Sequence, residues 1–317
     1  MSDRVEAAAA VLGPRATRDE PLAPMTTYRV GGAAALFVRA RSLDDLRAVA
    51  TARAASGLPI LVVGRGSNLL VADTGFPGIA LSVADLAGGI ETADGEPGRV
   101  VTAGGGVALP VLARRTAALG VTGFEWAVGV PGSVGGAVRM NAGGHGSDMA
   151  ACVRDVDLLD LTADEPEPET VPVESLGLRF RGSDLSAEHV VLVARLGLRH
   201  GDRAAAEAKI ADIVRWRREN QPGGQNAGSV FVNPVPFEVS AGSLIDGLGL
   251  RGLRIGTAWV SEKHANFIQA AEGGRASDVV AVMATVRQQV LAATGHRLRS
   301  EIRLVGFPDG EVGEAAA

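Results

Sequence analysis

Apolar and polar positions alternate along this chain in two rhythms, one helical and one extended. From Ser42 the spacing is helical: Leu43, Leu46, Val49 and Ala50 fall on one face. Ser42 with Asp45 three residues on has the form of a capping box, and Gly57 supplies the stop. Pro59-Ile60-Leu61-Val62-Val63 then predicts a short strand, running into the glycine turn Gly64-Arg65-Gly66-Ser67-Asn68. A second stretch has a strand at Val100-Val101-Thr102-Ala103, a tight turn at Gly104-Gly105-Gly106, and a helix over Leu109–Leu119 ended by Gly120. Asp155–Leu161 and Val190–Leu198 read as strands, separated by the acidic, proline-spaced loop Glu165-Pro166-Glu167-Pro168-Glu169. Ala204–Glu219 turns helical and basic until Pro222-Gly223-Gly224-Gln225 breaks it, which places a domain boundary near residue 200. The strongest periodicity lies over Ser277–Thr294, where Val279, Val282, Met283, Val286 and Val290 share a face and Gly295 marks the stop. A final strand is expected over Glu301–Val305, with Glu301 at its start.

Composition narrows the class. Hydrophobic residues are 46% and charged residues 21% of 317, the balance of a globular chain long enough for two or three domains. The net charge of −5 gives no broad basic field, so no nucleic-acid partner is expected, and an anionic ligand needs a local cluster of cations. Cys152 is the single cysteine and the five histidines are scattered, so neither a disulfide framework nor a metal site is expected. Met1–Thr17 lacks the basic start and long apolar run of a signal peptide. No run of about 18 uncharged apolar residues predicts a membrane helix. A cytoplasmic chain follows as an expectation, with Gly310–Ala317 as a frayed tail.

The candidate chemistry lies in glycine. Gly129–Gly144 is too rich in it for a long regular helix, since each interior glycine costs roughly 1 kcal/mol. Turns built this way let backbone N–H groups approach a pyrophosphate with no Cβ in the way, but glycines also simply turn chains. Gly64-Arg65-Gly66-Ser67-Asn68-Leu69 is not the dinucleotide fingerprint, because Leu69 stands where the third glycine would be. A Walker loop and a nucleophile elbow are both absent.

Several motifs together carry a resemblance. Thr27-Tyr28-Arg29-Val30-Gly31-Gly32, the run Gly64–Leu70, Val130–Ala137 and Met140-Asn141-Ala142-Gly143 resemble the flavin-binding half of the UDP-N-acetylenolpyruvoylglucosamine reductase family. Gly228-Ser229-Val230-Phe231, Ala241–Asp246 and Ser261–Ile268 are similar to that family's substrate half, in the same order and at similar spacing. The resemblance covers residues 21 to 306. It implies an α+β chain: a two-subdomain FAD module of the vanillyl-alcohol-oxidase type, and a C-terminal α+β substrate domain. The implied segments are an extension over 1–20, flavin subdomains over 21–85 and 86–200, a substrate domain over 201–306, and a tail over 307–317. Tyr28 is the only tyrosine, which points to the shorter family type without the tyrosine-bearing insertion.

The implied activity uses NADPH as co-substrate and non-covalent FAD to saturate the enolpyruvyl ether of a UDP-sugar, by a monomeric enzyme. Cofactor contacts would come from Tyr28, Gly64, Arg65, Gly66, Ser67, Asn68, Gly129, Pro131, Gly132, Ser133, Gly135, Gly136, Asn141, Ala142 and Gly143. The resemblance makes Ser229 the proton donor; on residues alone it reads as an ordinary turn serine after Gly228. Arg181, in Phe180-Arg181-Gly182-Ser183, has the planar fork that suits a carboxylate, although Phe180 replaces the family's usual tyrosine. Glu301 would stabilise the enolate-like charge in protonated form, or else pair with Arg299 or Arg303. Arg215, Asn233 and Lys263 are the candidate substrate contacts, and Val232 stands where the family often has lysine. The alternatives are an oxidase on the same scaffold, a non-catalytic FAD-binding protein, and a protein whose glycines are structural.

Overall fold

The structure is a computed structural model and describes residues 2–95, 98–236 and 238–308. Among the described residues seven α-helices run in chain order: α1 Ser2–Leu12, α2 Leu43–Ser56, α3 Leu109–Ala118, α4 Val134–Arg139, α5 Arg203–Asn220, α6 Ala241–Gly247 and α7 Ala276–Thr294. Helix α2 forms as its ends dictate. Ser42 Oγ accepts from Asp45 N–H, the Asp45 carboxylate accepts from Ser42 N–H, and Gly57 closes the helix at φ 64. In α7 the residues Val279, Val282, Met283, Val286 and Val290 are fully buried, and Gly295 takes the left-handed cap at φ 73. The expected irregularity of 129–144 holds apart from the six-residue α4.

The chain packs into two compact units whose segments interleave. The first takes residues up to Glu20, then Ala35–Arg65 and Pro77–Arg217. The second takes Pro21–Ala34, Gly66–Phe76 and the chain from Arg218 onward.

Among the described residues the first unit holds two larger sheets beside the small pair Gly143–Gly144 and Ser147–Asp148. One orders Ala16–Pro21, Ala33–Arg39, Phe76–Ser82 and Ile60–Val62, the last two parallel with Ile60 opposite Ile79. The other is antiparallel along the path Glu169–Pro172, Val153–Asp160, His189–His200, Gly98–Gly104 and Ile90–Gly95. The strand Glu169–Pro172 starts on the last residue of the acidic loop and was not legible in the pattern; it pairs Val171 with Val156. The N-terminal stretch is part of this unit: Ala8 and Leu12 of α1 are fully buried with Leu36, Leu46 and Val49.

The second unit has its own core, in which Tyr28, Val30 and Leu70 pack with Val230, Phe231 and the buried face of α7. Its sheets are the antiparallel set Arg254–Ile255, Ala258–Val260, Ile268–Ala270 and the parallel pair Leu69–Val71 with Arg303–Val305. The final strand thus begins at Arg303, not at Glu301. The Glu301 N–H bonds the Val230 carbonyl instead of the partner strand, which holds 301 in a bend. Of the expected tail, residues 309–317 lie outside the described residues. No helix among the described residues is long and apolar enough to cross a membrane.

Candidate active site

In the first unit the glycine turns are sewn against each other by backbone. Gly64 follows the buried strand Ile60–Val62, and a Cβ there would lie 2.3 Å from Ser133 Oγ. Arg65 Nε donates to the Pro131 carbonyl at 3.3 Å. Leu109 N–H bonds Gly132 O at 3.0 Å, Val134 N–H bonds Val107 O at 2.9 Å, and Gly135 N–H bonds Gly105 O at 2.8 Å. Ser133 is buried and caps α4, accepting from Gly136 N–H at 3.4 Å. Three turns read separately from the sequence, at 64, 104–106 and 131–136, therefore form one wall.

The same frame carries Arg181. Asn141, buried at φ 40, accepts from Ala150 N–H and donates through Nδ2 to Arg179 O at 3.1 Å and to Asp148 at 3.3 Å. Arg179 and Gly182 exchange backbone bonds across a tight turn with Phe180 and Arg181 at its corners. Arg181 has φ 60, the left-handed value that the third position of a type II turn requires. Its guanidinium lies 5.0 Å from the centre of the Phe180 ring. Ser183 Oγ then donates to Arg139 O at the end of α4, at 2.6 Å. The turn is held on one side by Asn141 and on the other by the helix end.

Helix α5 backs the rest of this loop. A Cβ at Gly129 would meet His145 Nε2 at 3.2 Å and Ile213 at 3.3 Å, and the His145 ring stands edge-on to Trp216 at 5.2 Å. Partial burial and the nearby Arg217 charge push the His145 pKa down. At Gly143 a Cβ would come within 2.6 Å of Asp148 Cβ in the hairpin Gly143–Gly144/Ser147–Asp148, and Ala142 N–H donates to Ala137 O while Ala142 O accepts from Met149 N–H. Arg215 is exposed on α5 and pairs with Asp212.

In the second unit the structure brings Ser229, Glu301 and Asn68 together. Ser229 bridges to Phe267 and Phe231 bridges to Ser300, so residues 229–231 run as an extended rung between the two segments. Val230 N–H bonds Asn266 O, and Glu301 N–H bonds Val230 O at 2.8 Å. Asn266 lies within the motif Ser261–Ile268, where the sequence assigns it no role. It is buried and bonds both backbone groups of Phe231, with Oδ1 accepting at 3.0 Å and Nδ2 donating at 2.8 Å. Its signal was an Asn followed by Phe-Ile, an amide leading into a strand. Asn68 Nδ2 donates to the Glu301 carbonyl at 3.0 Å. The turn bearing Gly66, Ser67 and Asn68 is close-packed: at Gly66, φ 58, a Cβ would sit 2.1 Å from Met25 O.

Tyr28 is fully buried and its hydroxyl donates to Ile268 O at 3.0 Å, with burial pushing its pKa up. Its side chain is therefore spent on the core. Asn233 Oδ1 accepts from Ala241 N–H at the start of α6. Lys263 Nζ donates to Arg218 O. Val232 is buried, which accounts for an apolar residue there. His264 beside Lys263 is held low by burial and by the Arg251 charge. Arg251 in turn joins Asp246 of α6 to the Glu262 carbonyl. Among the described residues no cluster of three or more His, Cys, Asp or Glu could hold a metal ion.

The model for the "UDP-N-acetylenolpyruvoylglucosamine reductase, C-terminal domain" matches residues 220–305, and the "FAD binding domain" model matches 34–164. A protein of Heliobacterium modesticaldum named UDP-N-acetylenolpyruvoylglucosamine reductase is 43% identical over 298 residues, covering 93% of this chain and 92% of its own length. One of the same name from Synechococcus is 40% identical over 290 residues, covering 90% and 92%. The crystal structure of the Thermus caldophilus protein of that name superposes with a TM-score of 0.75 at 32% identity, covering 92% of this chain and 99% of its own.

Proposed function

The chain belongs to the UDP-N-acetylenolpyruvoylglucosamine reductase family, and from that premise we propose how its residues divide the work. The enzyme is an FAD-dependent UDP-N-acetylmuramate dehydrogenase of peptidoglycan synthesis. It converts UDP-N-acetylglucosamine enolpyruvate to UDP-N-acetylmuramate with NADPH as co-substrate. Its fold is α+β with a flavin module of the vanillyl-alcohol-oxidase type. When bound, FAD reduced by NADPH supplies the hydride that saturates the double bond.

The residues fit that cofactor. At Gly64 and Gly135 a Cβ would fill the space where backbone turns close on each other, within 2.3 Å of Ser133 Oγ and 3.2 Å of Gly105 O. Turns so bare of side chains suit a pyrophosphate held by N–H groups. Gly64, Arg65, Gly66, Ser67, Asn68, Gly129, Pro131, Gly132, Ser133, Gly135, Gly136, Ala142 and Gly143 are the holding set. Tyr28 and Asn141 serve it by fixing backbone, since their side chains are engaged within the protein.

Ser229 delivers the proton to the α-carbon, and Glu301 faces the enolate oxygen. The single observation that carries this pairing is the rung in which Glu301 N–H bonds the carbonyl of Val230, the residue after Ser229. A carbanion-like carbon is a strong enough base to take a proton from a positioned hydroxyl. Arg181 holds the substrate carboxylate through its fork. Arg215 and Lys263 face the sugar diphosphate, with Arg215 exchanging Asp212 for phosphate, and Asn233 gives the substrate a polar contact. The segments 21–85, 86–200 and 201–306 act as two flavin subdomains and a substrate domain, after an N-terminal extension over 1–20. A cytoplasmic monomer with no nucleic-acid partner completes the proposal.

The test is anaerobic reduction by NADPH followed by UDP-N-acetylglucosamine enolpyruvate, read in the flavin's visible absorbance. The yellow colour bleaches and then returns on adding substrate. Ser229→Ala still bleaches, but recovery slows by roughly a hundredfold to ten-thousandfold. Recovery at the parent rate would remove Ser229 as the proton donor, and recovery with oxygen alone would point to an oxidase.

A further inference from the structure

Asn68 sits in the glycine turn of the flavin motif, yet its side chain works on Glu301. Nδ2 donates to the Glu301 carbonyl at 3.0 Å, and the Asn68 carbonyl accepts from Arg303 N–H at 2.8 Å. The two bonds bracket residues 301 to 303. On its other side Glu301 N–H bonds Val230 O at 2.8 Å, one residue from Ser229. Both peptide groups flanking the Glu301 side chain are therefore held. Strand pairing cannot supply the second of these bonds. The parallel ladder of Leu69–Val71 with Arg303–Val305 starts at Arg303, two residues after Glu301. Alanine at 68 would keep the main-chain bond to Arg303 but could not reach the Glu301 carbonyl.

We propose that Asn68 is a positioning residue for proton transfer. Its side-chain amide sets Glu301 against the Ser229 rung, while its backbone stays in the turn that holds FAD. This rests on the reading of Glu301 given above. An interaction of this size and a small displacement of a reacting group are each felt in rate.

Three variants test it as purified holoenzymes: Asn68→Ala, Glu301→Gln and the pair combined. Asn68→Ala slows flavin reoxidation by the enolpyruvyl substrate on the order of tenfold, and slows reduction by NADPH less. Placed on Glu301→Gln it adds roughly twofold or less, because the residue it positions is already disabled. In protein stripped of FAD, amide hydrogen exchange over 300–303 quickens in Asn68→Ala while that of α7 does not. Full additivity in the double variant would overturn the positioning role and leave Glu301 standing. Loss of FAD affinity with unchanged reoxidation per bound flavin would make the amide a cofactor ligand and also overturn it. If Glu301→Gln alone reoxidises at the parent rate, the reading of Glu301 falls first and this one with it.

Discussion

Asn141 and Tyr28 show what a residue's identity does and does not reveal. Both stand in flavin motifs, and both side chains are turned inward, Asn141 onto Arg179 O and Ala150 N–H, Tyr28 onto Ile268 O. Buried polar groups must be paired, so a residue can be essential to a binding loop without touching the ligand. Arg181 differs in its backbone. It takes a left-handed φ of 60, which costs an arginine energy, on a turn pinned by Asn141 and Ser183. The turn sets that guanidinium 5.0 Å from the centre of the Phe180 ring. Lysine keeps the charge but loses the two-pronged geometry. Arg181→Lys should raise KM for the enolpyruvyl substrate about ten- to a hundredfold, judged by the strength of charge-assisted hydrogen bonds. Steady-state kinetics check this, and a KM within about twofold of the parent would remove the carboxylate role. The motif containing Arg181 was visible along the chain; the turn that presents it depends on partners about forty residues away.

At the scale of elements, what was legible is what neighbours encode. The capping box of α2, its glycine stop and the buried face of α7 all depend on spacings of three and four residues, and all are present. The start of α7 is different. Its N-cap, Arg275, provides no side-chain cap, and the work is done by Asp73, whose carboxylate accepts from Ala276 N–H at 2.8 Å and Ser277 N–H at 3.1 Å. No local pattern could show a cap two hundred residues away. Burial works to raise the Asp73 pKa, but bonds from Ser277 and Ala276 and the charge of Arg275 outweigh it and hold the carboxyl below its ordinary value. A depressed folded-state pKa stabilises fully above the unfolded value, near 4, and that contribution is lost as pH falls through the folded value. Asp73→Ala should therefore cost roughly 1 kcal/mol at pH 7. The gap from the parent should narrow below about pH 4. Urea denaturation at both pH values measures it, and an equal gap at both would show that charge on Asp73 is not the cause.

For the whole molecule, the second unit is assembled from three stretches of chain. Tyr28 and Val30 come from the first and Leu70 from the second, and both stretches join the core of the third. The strand Leu69–Val71 pairs in parallel with Arg303–Val305. A fragment of residues 201–317 lacks these parts and should not fold alone. It should show weak near-ultraviolet dichroism and poor amide dispersion, whereas a cooperative transition like that of the full chain would show the third stretch to be self-sufficient. The amino-acid sequence by itself determined the alternation of helix and strand, the glycine turns, and the ordered motifs of the family, because each is written in residues a few positions apart. Only the tertiary structure decided that Asn68 meets Glu301, that Asp73 caps α7, and that the early segments 21–34 and 66–76 pack with the last third of the chain. Contacts across more than two hundred residues depend on which burial and pairing best offset the entropy of closing long loops, a balance struck over the whole chain.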